Sequence, residues 1–146
     1  MGLHSATWRV HASAVDDLGL LEGSLRWLAG DGCELTTERG KSWHGSPQTI
    51  IQARISRKKA ARESLARLGG AALASLVEEG LAKRIDEDKV MHVRVDLAKL
   101  VQGEVRLSPD GHSGATAKGQ FKIGAYPGSD PADVMNDTIR SLLSVE

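Results

Sequence analysis

Residues 48–56, "QTIIQARIS", alternate between apolar and polar side chains along most of their length. Ile51, Ala53 and Ile55 share one side of an extended chain, and the residues between them are polar. A period of two is typical of a strand that covers a core with one face and meets water with the other. The stretch therefore predicts a half-buried β-strand.

Similar alternation predicts further strands on both sides of this one, at residues 7–14, 33–39, 90–96, 104–107 and 118–123. Apolar residues at helical spacing predict four helices: one after Asp16 or Asp17, one over 57–68, one carrying Leu73 to Leu81, and one from Asp130–Pro131. The predicted order is β-α-β-β-α-α-β-β-β-α. Strands joined by short turns favour an α+β fold of two layers, an antiparallel sheet with the helices packed on one face.

The overall composition narrows the class of protein. A length of 146 residues predicts one domain, 1–146, in which residues 1–6 form a flexible N-terminus. The single Cys33 cannot form an internal disulfide, and the sequence has no apolar run of membrane-spanning length, so we expect a cytoplasmic protein. Aromatic residues make up only 3%, which argues against binding of single strands by stacking base after base on exposed rings.

Charge is balanced overall, with 19 basic and 19 acidic residues, so any electrostatic function depends on how the charges are arranged. The outward positions of the predicted strands are mostly basic or amide-bearing: Arg9, His11, Ser13, Gln52, Arg54, His92, Arg94, Arg106, Lys118, Gln120 and Lys122. The acidic residues of these strands are fewer: Glu34, Glu38, Asp96 and Glu104. A further basic cluster follows the strand 48–56: Arg57, Lys58, Lys59 and Arg62. Arginine can form two parallel hydrogen bonds with a phosphate, so the pattern predicts a surface for a nucleic-acid backbone. The alternative is an ordinary solvated sheet face.

The loop "SWHGSP", residues 42–47, lies between two predicted strands. Trp43 is either a lid folded back on the core or a platform for a base or a ribose. His44 either donates a hydrogen bond to a phosphate or braces the turn.

Four stretches of the chain resemble, in order, the archaeal RNA-binding family described as exosome-subunit-like. They are "VHASAVDD" (10–17), "WHGSPQTIIQARISRKK" (43–59), "RIDEDKVMHVRVD" (84–96) and "GEVRL" (103–107). Members of that family share a fold with the 5S-rRNA-binding ribosomal protein of the large subunit. The sequence departs from the family pattern at Leu97, where a lysine is usual, and at His44, where a tyrosine is usual.

The resemblance implies RNA binding without catalysis. The sequence itself shows no cluster of metal ligands, so we also expect no metal or cofactor. The resemblance favours these positions: His11, Trp43, His44, Gly45, Pro47, Arg54, Arg57, Lys58, Arg94, Asp96, Gly103, Glu104 and Arg106. Together with the outward strand residues, the predicted RNA-binding set is Arg9, His11, Trp43, His44, Gln52, Arg54, Arg57, Lys58, His92, Arg94, Arg106 and Lys122. The expected partner is structured or double-stranded RNA, with exosome or ribosomal components as candidate protein partners.

Two other classes of function stay open on the sequence. A metal-dependent hydrolase would need a site such as His11, His92 and Asp96, if the two histidines lie on adjacent strands, or Mg²⁺ bound at the 86–88 turn. A protein-interaction module would instead use the sheet face or an edge strand.

Overall fold

The computed structural model describes residues 2–13, 17–41, 45, 47–108 and 115–144. In this part of the chain there are five strands: β1 (Gly2–Ser13), β2 (Glu34–Lys41), β3 (Pro47–Ile55), β4 (Val90–Asp96) and β5 (Thr116–Gly124). The α-helices of the same residues are α1 (Leu18–Ala29), α2 (Lys58–Ala66), α3 (Gly70–Glu79), α4 (Leu97–Leu100) and α5 (Pro131–Ser144). A 3₁₀ turn (Leu81–Arg84) connects α3 to the segment before β4.

The strands form one sheet in the order β2-β3-β1-β5-β4, and each neighbouring pair is antiparallel. β1 is the central strand, because it pairs with β3 on one side and with β5 on the other. The order places β5, the last strand in the chain, between the first strand and β4.

The helices cover one face of this sheet. Trp8, Val10 and Ala12 of β1 are at most 1% exposed, whereas the residues between them are exposed. α1, α2 and α5 all contact β1, and each helix turns leucine, alanine, methionine or isoleucine side chains inward. The prediction of a two-layer α+β fold with an antiparallel sheet is confirmed.

Trp8 joins the two layers through a chain of buried hydrogen bonds. Its Nε1 donates to Oγ of Ser64 in α2 at 2.8 Å, and that hydroxyl donates to the carbonyl oxygen of Leu28 in α1 at 2.7 Å. The ring also meets Phe121 of β5 edge to face, with centroids 5.7 Å apart. A single core side chain thus connects two helices and two strands.

Two predicted helix starts are confirmed. The Asp17 carboxylate accepts a hydrogen bond from the backbone N–H of Leu20 at 3.1 Å, which caps α1. Asp130 accepts from the N–H of Ala132 at 2.9 Å, directly before Pro131 begins α5.

Residues 2–6, for which the sequence predicts a flexible N-terminus, lie in β1. Gly2 and Leu3 pair with Gly124 and Ile123 of β5, and Leu3 and Ala6 are buried. A register shift between Leu3 and Ser5 moves the inward side chains from Leu3 to Ala6, which breaks the period of two. The pattern in the sequence is therefore interrupted although the strand continues.

The predicted strand 104–107 is also wrong as a regular strand. Only Leu107 of this segment forms a β-bridge, with Val95 of β4. Two backbone hydrogen bonds hold the segment against β4. The N–H of Asp96 donates to the carbonyl oxygen of Arg106, and the N–H of Ser108 donates to that of Arg94, both at 2.8 Å.

Two short helical segments at either side of β4 were not predicted. Asp96 caps α4 with an oxygen that accepts from Lys99 N–H at 3.1 Å. Leu81, expected in α3, lies in the 3₁₀ turn because Gly80, with φ +95°, ends α3.

Candidate nucleic-acid interface

The sheet face opposite the helices, called the open face here, carries a row of three basic residues. Arg9 on β1 pairs in register with Lys118 on β5, and Lys118 pairs with Arg94 on β4. Neighbouring strands are about 4.8 Å apart, so these three backbone positions span about 10 Å. We call Arg9, Lys118 and Arg94 the cationic row. Within the described residues, none of the three forms an ion pair with a carboxylate.

The cationic row continues toward β3 through an amide. Arg9 donates to Oε1 of Gln52 from Nε at 3.0 Å and from Nη2 at 2.6 Å. The bond fixes the guanidinium above the sheet and leaves other N–H groups of Arg9 for a ligand. Gln52 therefore orients Arg9, beyond its predicted role as a direct contact.

Arg54 and His92 lie in the next row across the sheet. Arg54 pairs in register with Thr7 and with Glu34 of the edge strand β2, and His92 pairs with Gln120. Arg54 is exposed and forms no ion pair within the described part of the chain. The row thus has an arginine toward one edge of the sheet and a histidine at the other.

His11 lies beyond the cationic row on β1. Gln48 donates from Nε2 to His11 Nδ1 at 2.7 Å, which requires that nitrogen to be unprotonated. Partial burial, followed by the positive charges of Lys118 and Arg9, lowers the pKa of His11 below its ordinary value of 6.5. The neutral ring is therefore favoured in the free protein.

His92 is held by a carboxylate from the turn before β4. Its Nε2 lies 2.7 Å from Asp86 Oδ2. The other Asp86 oxygen accepts from the N–H groups of Asp88 at 2.9 Å and Val90 at 3.0 Å. The hydrogen bond from His92, and then that from Val90, keep the pKa of Asp86 below its usual range. Asp86 thus orders the turn and orients His92.

Four other predicted residues lie at the margins of the open face. Lys122 projects from β5 and donates to the carbonyl oxygen of Asp88. Arg106 is paired with Glu104 at 2.7 Å on the segment that runs along the outer edge of β4. Arg57 and Lys58 lie where β3 ends and α2 begins, and both are exposed.

The structure separates the two histidines of the metal-site alternative. β5 lies between β1 and β4, and in register His11 is four residues along the strands from the row of His92. Four residues of a strand extend about 13 Å. The condition for that alternative, that the two histidines lie on adjacent strands, is not met, and no group of three potential metal ligands occurs in the described ranges.

Trp43 and His44 lie outside the described residues, so both stay predictions. The sequence predicts an outward side chain for Lys118 but does not single it out as an RNA contact. Its central place becomes visible only when β5 is inserted between β1 and β4. No signal in the sequence specified that order.

The sequence model of a family described as RNA binding matches residues 5–118, and this range contains the whole cationic row. The chain belongs to this RNA-binding family. RNA carries a negatively charged backbone, so the description of the family is consistent with the basic open face. A comparison with curated proteins finds no match.

Solved structures of archaeal proteins share the fold of this family member. Mth689, a DUF54 protein from Methanothermobacter thermautotrophicus, is 23% identical, with a TM-score of 0.72 over 97% of this chain and 98% of that one. AF2318 from Archaeoglobus fulgidus, also DUF54, is 20% identical with a TM-score of 0.75, over 96% and 99% of the two chains. SSO0741 from Sulfolobus solfataricus is 11% identical with a TM-score of 0.72, over 97% and 99%. At these identities the likeness concerns the fold.

In the described residues, no helix is long and apolar enough to span a bilayer.

Proposed function

We propose that the protein is a non-catalytic RNA-binding protein that holds the RNA backbone on its open sheet face. The observation that carries the proposal is the cationic row, because three adjacent strands bring Arg9, Lys118 and Arg94 together without neutralising carboxylates among the described residues. Phosphate contacts by such residues supply affinity that depends on charge and not on base sequence.

The kind of RNA follows from the side chains on this face. Among the described residues of the open face there is no Trp, Tyr or Phe, since Trp8 and Phe121 both point into the core. A basic surface without Trp, Tyr or Phe is better suited to the regular phosphates of a folded or double-stranded RNA than to unstacked bases. We therefore propose structured RNA as the ligand.

The test is the salt dependence of binding after removal of two members of the cationic row. Each phosphate contact contributes about 0.7–0.9 to the slope of log affinity against log salt. The double variant Arg9→Gln/Arg94→Gln should flatten that slope by about 1.4–1.8 for a double-stranded RNA. Binding titrations at several salt concentrations measure the slope directly.

A matched control removes two arginines from the helix layer. Arg26 in α1 and Arg140 in α5 are exposed, and Arg26→Gln/Arg140→Gln makes the same change in net charge. The control should keep the wild-type slope. If both double variants flatten it equally, binding depends only on net charge and the open face is not the interface.

Three further parts of the proposal concern partners, place and chemistry. The resemblance to the exosome-subunit-like family supports exosome or ribosomal components as protein partners, and an RNA-binding role supports a cytoplasmic location.

Catalysis is not proposed, because the family is described only by RNA binding. Incubation of end-labelled RNA with purified protein should leave its length unchanged, and cleavage lost in His92→Ala would contradict this.

A further inference from the structure

Two clefts meet at Ser108, beside the outer edge of β4. One has a volume of about 350 Å³ and lies between the 3₁₀ turn and the outward side chains His92 and Arg94. The other, of about 490 Å³, lies toward the end of α3. Lys83, Arg84 and Ser108 line both. We call the first the edge cleft.

Ser108 carries a buried hydroxyl. The residue is 5% exposed, and its Oγ forms no hydrogen bond within the described residues. Its backbone is fixed, because its N–H donates to the carbonyl oxygen of Arg94 at 2.8 Å. Buried hydroxyls are nearly always paired, so one without a partner among the described residues, at the wall of a cleft, suits a hydrogen bond to a ligand held there.

The charge of the edge cleft is positive. Arg84 is paired with Glu79 at 3.0 Å, and the carboxylate of Asp86 is occupied by His92 and two backbone N–H groups. Lys83 and Arg94 have no ion-pair partner in the described part of the chain. Two cations and a hydroxyl, none of them with a side-chain partner among the described residues of the cleft, line the same cleft, which suits an anion with several acceptor oxygens.

We propose that the edge cleft is a phosphate site, in which Lys83, Arg94 and the Ser108 hydroxyl hold one phosphate group at the end of a bound RNA strand. This rests on the proposed function, since Arg94 belongs both to the cleft and to the cationic row. A strand that follows the row toward β4 reaches the cleft at the edge of the sheet. A terminal phosphate can enter it end-on, whereas an internal one has chain on both sides.

The first experiment uses inorganic phosphate as the probe and needs no RNA. In ¹⁵N NMR spectra at constant ionic strength, phosphate should shift the Ser108 and Arg94 amide signals in a saturable way. Ser108→Ala should weaken this binding about tenfold, as expected for a lost hydrogen bond to a charged group. Ser75→Ala is the matched control, because Ser75 lines only the neighbouring cleft. Wild-type phosphate binding by Ser108→Ala would overturn the site.

The second experiment compares double-stranded RNA with and without a 5′-terminal phosphate, and with a 3′-terminal phosphate. For the wild type, a duplex without the terminal phosphate should bind about tenfold more weakly than the duplex that carries it. The Lys83→Gln variant should bind the two duplexes equally. Lys41→Gln, on the opposite edge strand β2, should behave as wild type. If Lys83→Gln weakens all duplexes equally, the cleft holds an internal phosphate instead. If it weakens none, the proposal is wrong.

The two proposals fail in different ways. Saturable phosphate binding at Ser108 without any RNA binding would keep the phosphate site and remove the proposed function. RNA binding that depends on Arg9 and Lys118 but not on Lys83 or Ser108 would keep the function and remove the site.

Discussion

Gly119 lies beneath the indole ring of Trp8, the largest fully buried side chain among the described residues. A Cβ at this position would be 2.7 Å from two ring atoms of Trp8. The ring cannot move away easily, because Ser64 holds its Nε1 and Phe121 meets its edge. The core therefore requires a residue without a side chain in the middle of β5.

Gly119→Ala should lower the free energy of unfolding by about 1–3 kcal/mol, the usual cost of overpacking a core. Gly23→Ala is the control, because Gly23 is exposed in α1 with nothing within 4 Å of an added Cβ. That change should raise stability by up to about 1 kcal/mol through helix propensity. Urea unfolding followed by circular dichroism measures both. Equal effects of the two substitutions would contradict the close contact between Gly119 and Trp8.

His11 gives the open face a pH dependence with a defined sign. Its pKa in the folded protein lies below 6.5, so between the two values the unfolded chain binds more protons than the folded one. Stability should therefore decrease as the pH falls through 6.5 toward the folded pKa. His11→Gln removes the titrating ring, so the wild type should lose stability relative to this variant between about pH 8 and pH 5. Urea unfolding at pH intervals in that range measures the difference in the free energy of unfolding between the wild type and His11→Gln. A difference that stays constant with pH would mean that the pKa of His11 is not lowered by folding.

At the scale of elements, the alternation of Trp8, Val10 and Ala12 was enough to predict β1 and its inward face. The same reasoning failed where backbone geometry changes the period. The irregularity between Leu3 and Ser5 concealed the first residues of β1. The segment 104–107 alternates like a strand, but it follows directly on α4 and a glycine turn, and pairs with β4 only around Leu107. Local pattern predicts extended backbone, whereas strand pairing depends on neighbours that are distant in sequence.

The start of α2 allows a test of RNA contact with little risk to the fold. Arg57 is the N-cap residue and makes no side-chain capping bond, and Lys58 is the first helical residue. Positive charges at a helix N-terminus oppose the helix dipole. Arg57→Ala/Lys58→Ala should therefore leave thermal stability unchanged or slightly higher, while it flattens the salt slope of RNA binding by about one to two units.

Thermal unfolding and salt titrations on the same samples separate the two effects. A wild-type slope in the Arg57→Ala/Lys58→Ala variant would mean that this basic pair is only a solvated helix start.

At the scale of the whole molecule, the sequence predicted the layers and the basic face, but it did not predict which residues of that face are neighbours. His11 and His92 looked like candidates for one site until β5 was found between their strands. The same insertion makes Lys118 the centre of the cationic row. Order in an antiparallel sheet depends on how the helices pack on the other face, through contacts such as the Trp8–Ser64–Leu28 chain. No local pattern in the strands encodes those contacts.

The shape and chemistry of the open face predict a preference between forms of RNA. Five strands about 4.8 Å apart form a surface about 19 Å wide, on which the described side chains offer charges, amides and imidazoles but no Trp, Tyr or Phe. A double-stranded RNA should therefore bind more tightly than either of its single strands, and duplexes of unrelated sequence should compete equally.

Trp43 provides the internal check. If it stacks on an unpaired base, Trp43→Ala should weaken single-strand binding by about 1–3 kcal/mol, with the salt slope unchanged and duplex binding little affected. Competition titrations with both forms decide the matter, and a wild-type protein that prefers the single strand would show that the flat basic face is not the main RNA surface.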